Sequence, residues 1–186
     1  MNLKISPDGR FAFVANELSE DVSVVDLAAR KAVKQIDAGH YIEGLDFSRD
    51  GRWLFIMNGE RHSYSVVDAH THQTVRTVKL RDEPHDVAVT PDGRFLYITM
   101  PHINAVAVHA VADQKEVAFV KQGSRPDLIA FTPDGALAYV TNRDSREVFV
   151  MDALRHANLR RIRVGNGPHG VLAVPAPPPA PPVAKR

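Results

Sequence analysis

Residues 131–152 read FTPDGALAYVTNRDSREVFVMD, and the tripeptide inside them, Pro133-Asp134-Gly135, decides how the rest of the chain is read. Stepping back 42 residues at a time gives Pro91-Asp92-Gly93, then Arg49-Asp50-Gly51, then Pro7-Asp8-Gly9, with no gap between copies. Self-similarity at a fixed period of this size marks stacked supersecondary units, each unable to bury its apolar face alone. The tripeptide itself is turn chemistry. Pro pre-sets φ, Asp bonds its own backbone two residues on, and Gly takes the positive φ of the last turn position. Arg49 gives up the Pro but keeps Asp and Gly.

Working outward from the turn, each copy predicts four short strands. The first precedes the tripeptide, at residues 3–6, 45–48, 87–90 and 128–132. The second follows it, at 11–16, 53–58, 95–100 and 137–142, and is apolar on both faces: Phe55 and Trp53 on one, Leu54 and Ile56 on the other. A strand of that kind is covered from both sides, as in a stack of sheets. The third falls at 22–26, 64–68, 104–109 and 147–152. The fourth, at 32–37, 74–80, 115–121 and 159–164, is the most charged, which suits an outer edge that must not pair with other chains. Four antiparallel strands per repeat describe the blade of a β-propeller. The expected fold is therefore all-β, with blades at 1–41, 42–83, 84–125 and 126–167, in an incomplete or small ring. A stub strand at 168–174 begins a fifth copy, and residues 175–186, PAPPPAPPVAKR, read as a disordered, Pro-rich tail.

Composition narrows the function. The 186 residues are 44% hydrophobic and 24% charged, with a net charge of +1, so no strong field draws the chain to nucleic acid or an anionic membrane. With no cysteine there is no disulfide, thiolate metal site or thiol nucleophile. No apolar run is long enough to span a bilayer, and MNLKISPDGR has no secretory signal. Hydrolase, zinc-protease and nucleotide-binding motifs are missing.

The repeats resemble the YVTN family of β-propeller repeat proteins. The tetrapeptide stands at Tyr139-Val140-Thr141-Asn142, with weaker forms at Phe13-Val14-Ala15-Asn16, Phe55-Ile56-Met57-Asn58 and Tyr97-Ile98-Thr99-Met100. A third-strand signature stands at Val22-Ser23-Val24-Val25-Asp26 and Tyr64-Ser65-Val66-Val67-Asp68. The likeness covers residues 1 to about 174 and implies a non-enzymatic binding or interaction module, periplasmic or extracellular, for an unknown protein or small-molecule ligand. Some propellers of related appearance are lyases or lactonases with a His or metal at the channel mouth, which is the enzymatic alternative. The resembled family closes with about seven blades, needing roughly 290 residues at this period. Four blades thus suggest a closed small ring, a homodimer completing a larger one, or a piece of a longer product with apolar outer faces.

One column of residues recurs at the entrance to each inner strand: Glu43, His85, Asp127 and His169. In a propeller it points to one mouth of the central channel, and the expected ligand surface there comprises His40, Glu43, His85, Arg125, Asp127 and His169. The four column members are also a tentative metal set, convergent only if the ring is tight; no cofactor is predicted. His70 and His72 are expected in an exposed turn, Asn16, Asn58 and Asn142 at turn caps, and Asp26, Asp68 and Asp152 as turn formers.

Overall fold

A computed structural model describes residues 3–39 and 41–175. Each copy of the repeat is one antiparallel sheet with its strands in sequence order. Blade 1 comprises β1 (Leu3–Ile5), β2 (Phe11–Asn16), β3 (Asp21–Asp26) and β4 (Lys31–Asp37). Blade 2 comprises β5 (Ile42–Phe47), β6 (Trp53–Asn58), β7 (Ser63–Asp68) and β8 (Gln73–Lys79). Blade 3 comprises β9 (Val87–Val89), β10 (Phe95–Met100), β11 (Ala105–Ala110) and β12 (Glu116–Lys121). Blade 4 comprises β13 (Pro126–Phe131), β14 (Leu137–Asn142), β15 (Glu147–Asp152) and β16 (Ala157–Arg163). The second strands fall on the expected residues. The first strands stop one residue sooner, because the Ser or Thr that ends each expected strand belongs to the turn.

That hydroxyl completes the turn in all four copies. Ser6 Oγ donates to Asp8 Oδ1 and accepts from the Phe11 amide, while Asp8 Oδ1 also takes the Arg10 amide. Ser48 with Asp50, Thr90 with Asp92 and Thr132 with Asp134 repeat the arrangement. The turn glycines sit at φ between 71° and 76°, where a side chain is strained. Neighbouring turns stack: a Cβ on Gly51 would lie 3.0 Å from Pro7, and one on Gly93 would lie 2.9 Å from Arg49 Cβ. Arg49, the exception to Pro, donates to the Pro91 carbonyl of the next turn.

The two apolar faces of each second strand are explained by three interblade cores. Phe13, Val24, Leu45 and Ile56 join blades 1 and 2. Phe55, Tyr64, Leu96 and Ile98 join blades 2 and 3, and Tyr97, Val108, Val140 and Met151 join blades 3 and 4. β6 thus faces blade 1 through Leu54 and Ile56 and blade 3 through Phe55 and Met57. The fourth strands are mostly exposed, as an outer edge should be. On the outer face of blade 1, Leu3 and Ile5 remain 56% and 55% exposed.

At the chain's far end, residues 168–175 are not a strand, contrary to the expected stub at 168–174. A strand needs a ladder partner, and among the described residues this segment is held at His169, whose carbonyl accepts from Thr141 Oγ1 at 3.0 Å and whose ring meets Asp127. The expected tail falls, beyond Pro175, outside the described residues. Asp68 and Asp152 form turns as expected, accepting the amides of His70 and Thr71 and of Leu154 and Arg155. Asp26 does the same for Ala29. Asn16 and Asn58 instead reach across the β2–β3 and β6–β7 hairpins, to Asp21 and Ser23 and to Ser65.

Candidate functional site

Antiparallel order puts two kinds of connection at opposite ends of the blades. The Asp-Gly turns and the third-to-fourth-strand hairpins share one end. The links between blades and the second-to-third-strand hairpins share the other. Because inner strands of successive blades lie side by side, residues 42 apart at the link end become neighbours.

Glu43, His85, Asp127 and His169 form a continuous row there. His85 Nε2 lies 2.7 Å from Glu43 Oε2, and His85 Nδ1 lies 3.3 Å from Asp127 Oδ1. His169 Nδ1 lies 2.6 Å from Asp127 Oδ2. Contact between successive members comes from the adjacency of their blades, and the four do not converge on one point. Only successive members meet. Among the described residues no three His, Asp or Glu side chains are arranged to hold a metal ion. The tentative metal set is instead a line of alternating acid and base.

The contacts differ in quality. Asp127 is almost wholly buried and takes a directed bond from His169. Around His85 the distances are short but the directions poor, so Glu43 Oε2 and His85 Nδ1 lack a well-aligned hydrogen bond. Attraction of charge, more than direction, governs that pair. Burial opposes a charged imidazole at His85, yet the Glu43 carboxylate, with Asp127 and Asp86 behind it, outweighs burial and raises its pKa. Next to it, burial pushes Asp86 up to about 6 even though Asp86 Oδ2 accepts the Ile129 amide at 3.1 Å.

The Thr of the third and fourth tetrapeptides holds the backbone at the Asp127 and His169 end of the row. Thr99 Oγ1 accepts the Asp86 amide at 2.9 Å and donates to the Asp127 carbonyl at 2.8 Å. Thr141 Oγ1 likewise accepts the Leu128 amide and donates to the His169 carbonyl. In blades 3 and 4 one hydroxyl thus ties the second strand to the link that follows, whereas the same column holds Ala15 and Met57 in blades 1 and 2.

The remaining expected residues separate. His40 lies outside the described residues. Arg125 is exposed, at φ 58°, and enters the site through its backbone: its amide bonds Asn104 Oδ1 and its carbonyl accepts the Arg143 amide. The arginine that does reach the row is Arg143, with Nε 3.5 Å from Asp127 Oδ2. Sequence reading passed over it, although the residue after Tyr-Val-Thr-Asn must lie at the link end once β14 is oriented. Tyr41 was passed over too; the nearby Glu43 charge raises its phenol pKa. Of the two turn histidines, His70 is in the exposed turn expected. His72 is not free: its ring stands edge-on to Phe13, 5.8 Å between centroids.

A family model described as "Lactonase, 7-bladed beta-propeller" matches residues 2–162. The chain belongs to this family. Its Tyr-Val-Thr-Asn type of repeat is consistent with that membership. Among solved structures, the lactonase-family chain is similar to the hydrazine synthase of Kuenenia stuttgartiensis, at 24% identity and a TM-score of 0.83, over 88% of this chain and 48% of that one. It is similar to a functionally unknown protein of Desulfotomaculum acetoxidans DSM 771, at 18% identity and a TM-score of 0.79, over 90% and 57%. The β-propeller domain of Cps50 (Swd1) from Myceliophteria thermophila matches at 15% identity and a TM-score of 0.72, over 89% and 55%. These likenesses carry the fold alone, and the chain spans about half the length of each structure. No curated protein sequence matches it.

Proposed function

We propose that the chain is a non-enzymatic binding module whose ligand surface is the link end of the blades, centred on His85 and Asp127. The observation that supports this reading is the acid–base row itself. Its His and carboxylate groups face one another, and the nearby Thr99 and Thr141 hydroxyls are both occupied by backbone groups. Such a surface offers Arg143 and the half-exposed His169 to a polar ligand. The test is a thermal-shift and calorimetric screen of sugar acids and short peptides. A ligand that stabilises the wild type but not Asp127→Asn supports the reading.

The family match and the short Glu43–His85 contact favour a second reading, lactone hydrolysis with His85 as base. Proton release from glucono-δ-lactone discriminates between them. Turnover at least about a hundredfold above buffer and lost in His85→Ala would replace the binding reading.

The exposed Leu3 and Ile5 supply a face for a further blade, and a second copy of this chain is one source of it. Light scattering reads this directly, as a discrete dimer or a monomer. Contact with nucleic acid or membrane is not part of the proposal; among the described residues no helix is long and apolar enough to cross a bilayer. A periplasmic or extracellular location remains a proposal from the repeat type, testable by fractionation.

A further inference from the structure

The turn end carries a different feature, visible only because the repeat allows one interblade notch to be compared with the next. Each notch lies between the Asp-Gly turn and second strand of one blade and the third-to-fourth-strand hairpin of the following blade. Between blades 1 and 2 the hairpin contributes His72, whose ring stands edge-on to Phe11 and Phe13. Between blades 3 and 4 it contributes His156, 4.6 Å from Phe95 and 5.7 Å from Tyr97, with Nδ1 2.7 Å from the Tyr97 hydroxyl. Both imidazoles are half-buried, and burial lowers their pKa, so they act as neutral aromatic plugs.

Between blades 2 and 3 the same position is Gln114. Its backbone matches, with φ 61° against 58° and 52° for the histidines. Its side chain does not fill the notch. Nε2 donates to the Val111 carbonyl at 2.7 Å, and Oε1 accepts from Arg76 at 2.8 Å. The cavity left here is about 540 Å³, against about 310 and 120 Å³ in the two plugged notches. It is lined by Trp53, Val66, Val75, Arg49, Arg76 and Gln114, among others. This is ample for a small molecule.

Charge around the cavity is unequal in availability. Asp50 and Asp92 each commit one oxygen to their own turn. Among the described residues Arg76 bonds the Asp113 carbonyl and Gln114, and Arg49 the Pro91 carbonyl. Neither guanidinium has a carboxylate partner among the described residues.

We propose that the notch between blades 2 and 3 binds a small aromatic carboxylate. Its ring takes the place that His72 and His156 occupy in the other two notches, against Trp53 and Val66, and its carboxylate meets Arg76 and Arg49. This site is at the opposite end of the blades from the row around His85 and does not rest on the function proposed for that row.

Trp53 is the chain's single tryptophan, so its emission reports on this notch alone. The experiment titrates the protein with phenylacetate and follows Trp53 fluorescence. The expected result is saturation with a dissociation constant of about 1 mM or below. Cyclohexylacetate, without the aromatic ring, and benzyl alcohol, without the charge, should each bind about tenfold more weakly. Gln114→His restores the plug and should weaken phenylacetate at least about tenfold; Arg76→Gln, on the exposed rim, should do so by a similar factor. Circular dichroism confirms folding, and Arg76→Gln decides alone should Gln114→His not fold. A linear, unsaturated response to about 10 mM phenylacetate overturns the proposal, as does wild-type affinity in the folded variants.

Discussion

The two ends of the blades were built from the same 42-residue period, yet they use it differently. At the turn end the four copies agree atom for atom: hydroxyl to Asp Oδ1 at 2.5, 2.5, 2.6 and 2.5 Å, each followed by a glycine at positive φ. At the link end the corresponding column reads Glu43, His85, Asp127 and His169, four residues of alternating charge type. The turn tolerates one solution, because all four glycines sit at positive φ and Gly51 and Gly93 also admit the preceding turn's side chain within 3.0 Å. A link is free to vary: the residue facing it from the second strand is Ala15, Met57, Thr99 or Thr141, and only the two Thr hydroxyls bond it. Repetition therefore marks what holds the blades, and departure from it marks where chemistry is available.

The largest expected effect that would sharpen this contrast is at Gly44. A Cβ there would lie 2.7 Å from the His85 carbonyl oxygen and 2.8 Å from Asp86 Cα, so the obstacle is backbone of the next inner strand, which cannot swing aside. Gly44→Ala should cost about 3 kcal/mol in urea unfolding, at the upper end for overpacking. A cost below that of a turn glycine would show that the blades' inner strands separate easily, and that the row is not held by close packing.

Thr99→Val comes next. It leaves the buried Asp86 amide and the Asp127 carbonyl without their shared hydroxyl, at a cost of about 2 kcal/mol. If Thr99→Val is neutral, the tetrapeptide's Thr is not what fixes the link end.

Gly135→Ala should cost less, about 1 kcal/mol, because its φ of 71° is unfavourable for alanine while the stacked Pro91 atoms lie at 3.5 Å, in ordinary contact. The ranking of the three variants by chemical denaturation, rather than any one value, tests the contrast.

How much of this was readable beforehand follows the same division. The strands, the Asp-Gly turns and the two-sided burial of β6 and β10 were legible, because local propensity, turn chemistry and apolar alternation all agree and recur four times. The row at the link end was legible as a column, since a fixed period puts its members in register. Its pairing geometry was not, because the distance between adjacent inner strands is a property of packing. Arg143 was missed because its column reads Glu17, Gly59, Pro101, Arg143 and shows no repeat. The role of His72 is hidden in the sequence because its aromatic partners, Phe11 and Phe13, belong to the preceding blade. A contact across blades leaves no mark within either segment.

The smallest effect, and the one that sets the two ends against each other most directly, is the response to pH. At the turn end the Ser6, Ser48 and Thr132 hydroxyls hold Asp8, Asp50 and Asp134 below the usual carboxylate range. At Asp92 partial burial opposes, and the Thr90 hydroxyl and Arg94 amide overcome it. Groups with depressed pKa stabilise the fold above their unfolded pKa of about 4, and this contribution fades as pH falls through the folded value. At the link end His85 is raised above 6.5 and Asp86 is raised to about 6. Raised groups do the reverse. The His85 contribution is fully present below 6.5 and is lost as pH rises through its folded pKa; that of Asp86 is present below about 4 and is lost through about 6. An NMR titration of the histidine side chains should therefore place His85 above 6.5, with Glu43→Gln moving it down. Asp86→Asn should remove the Asp86 part, so that the variant loses less stability than the wild type between pH 4 and 6. A His85 midpoint at or below 6.5 that ignores Glu43→Gln would mean that the 2.7 Å contact carries no charge coupling, and the link end would lose its electrostatic distinction from the turns.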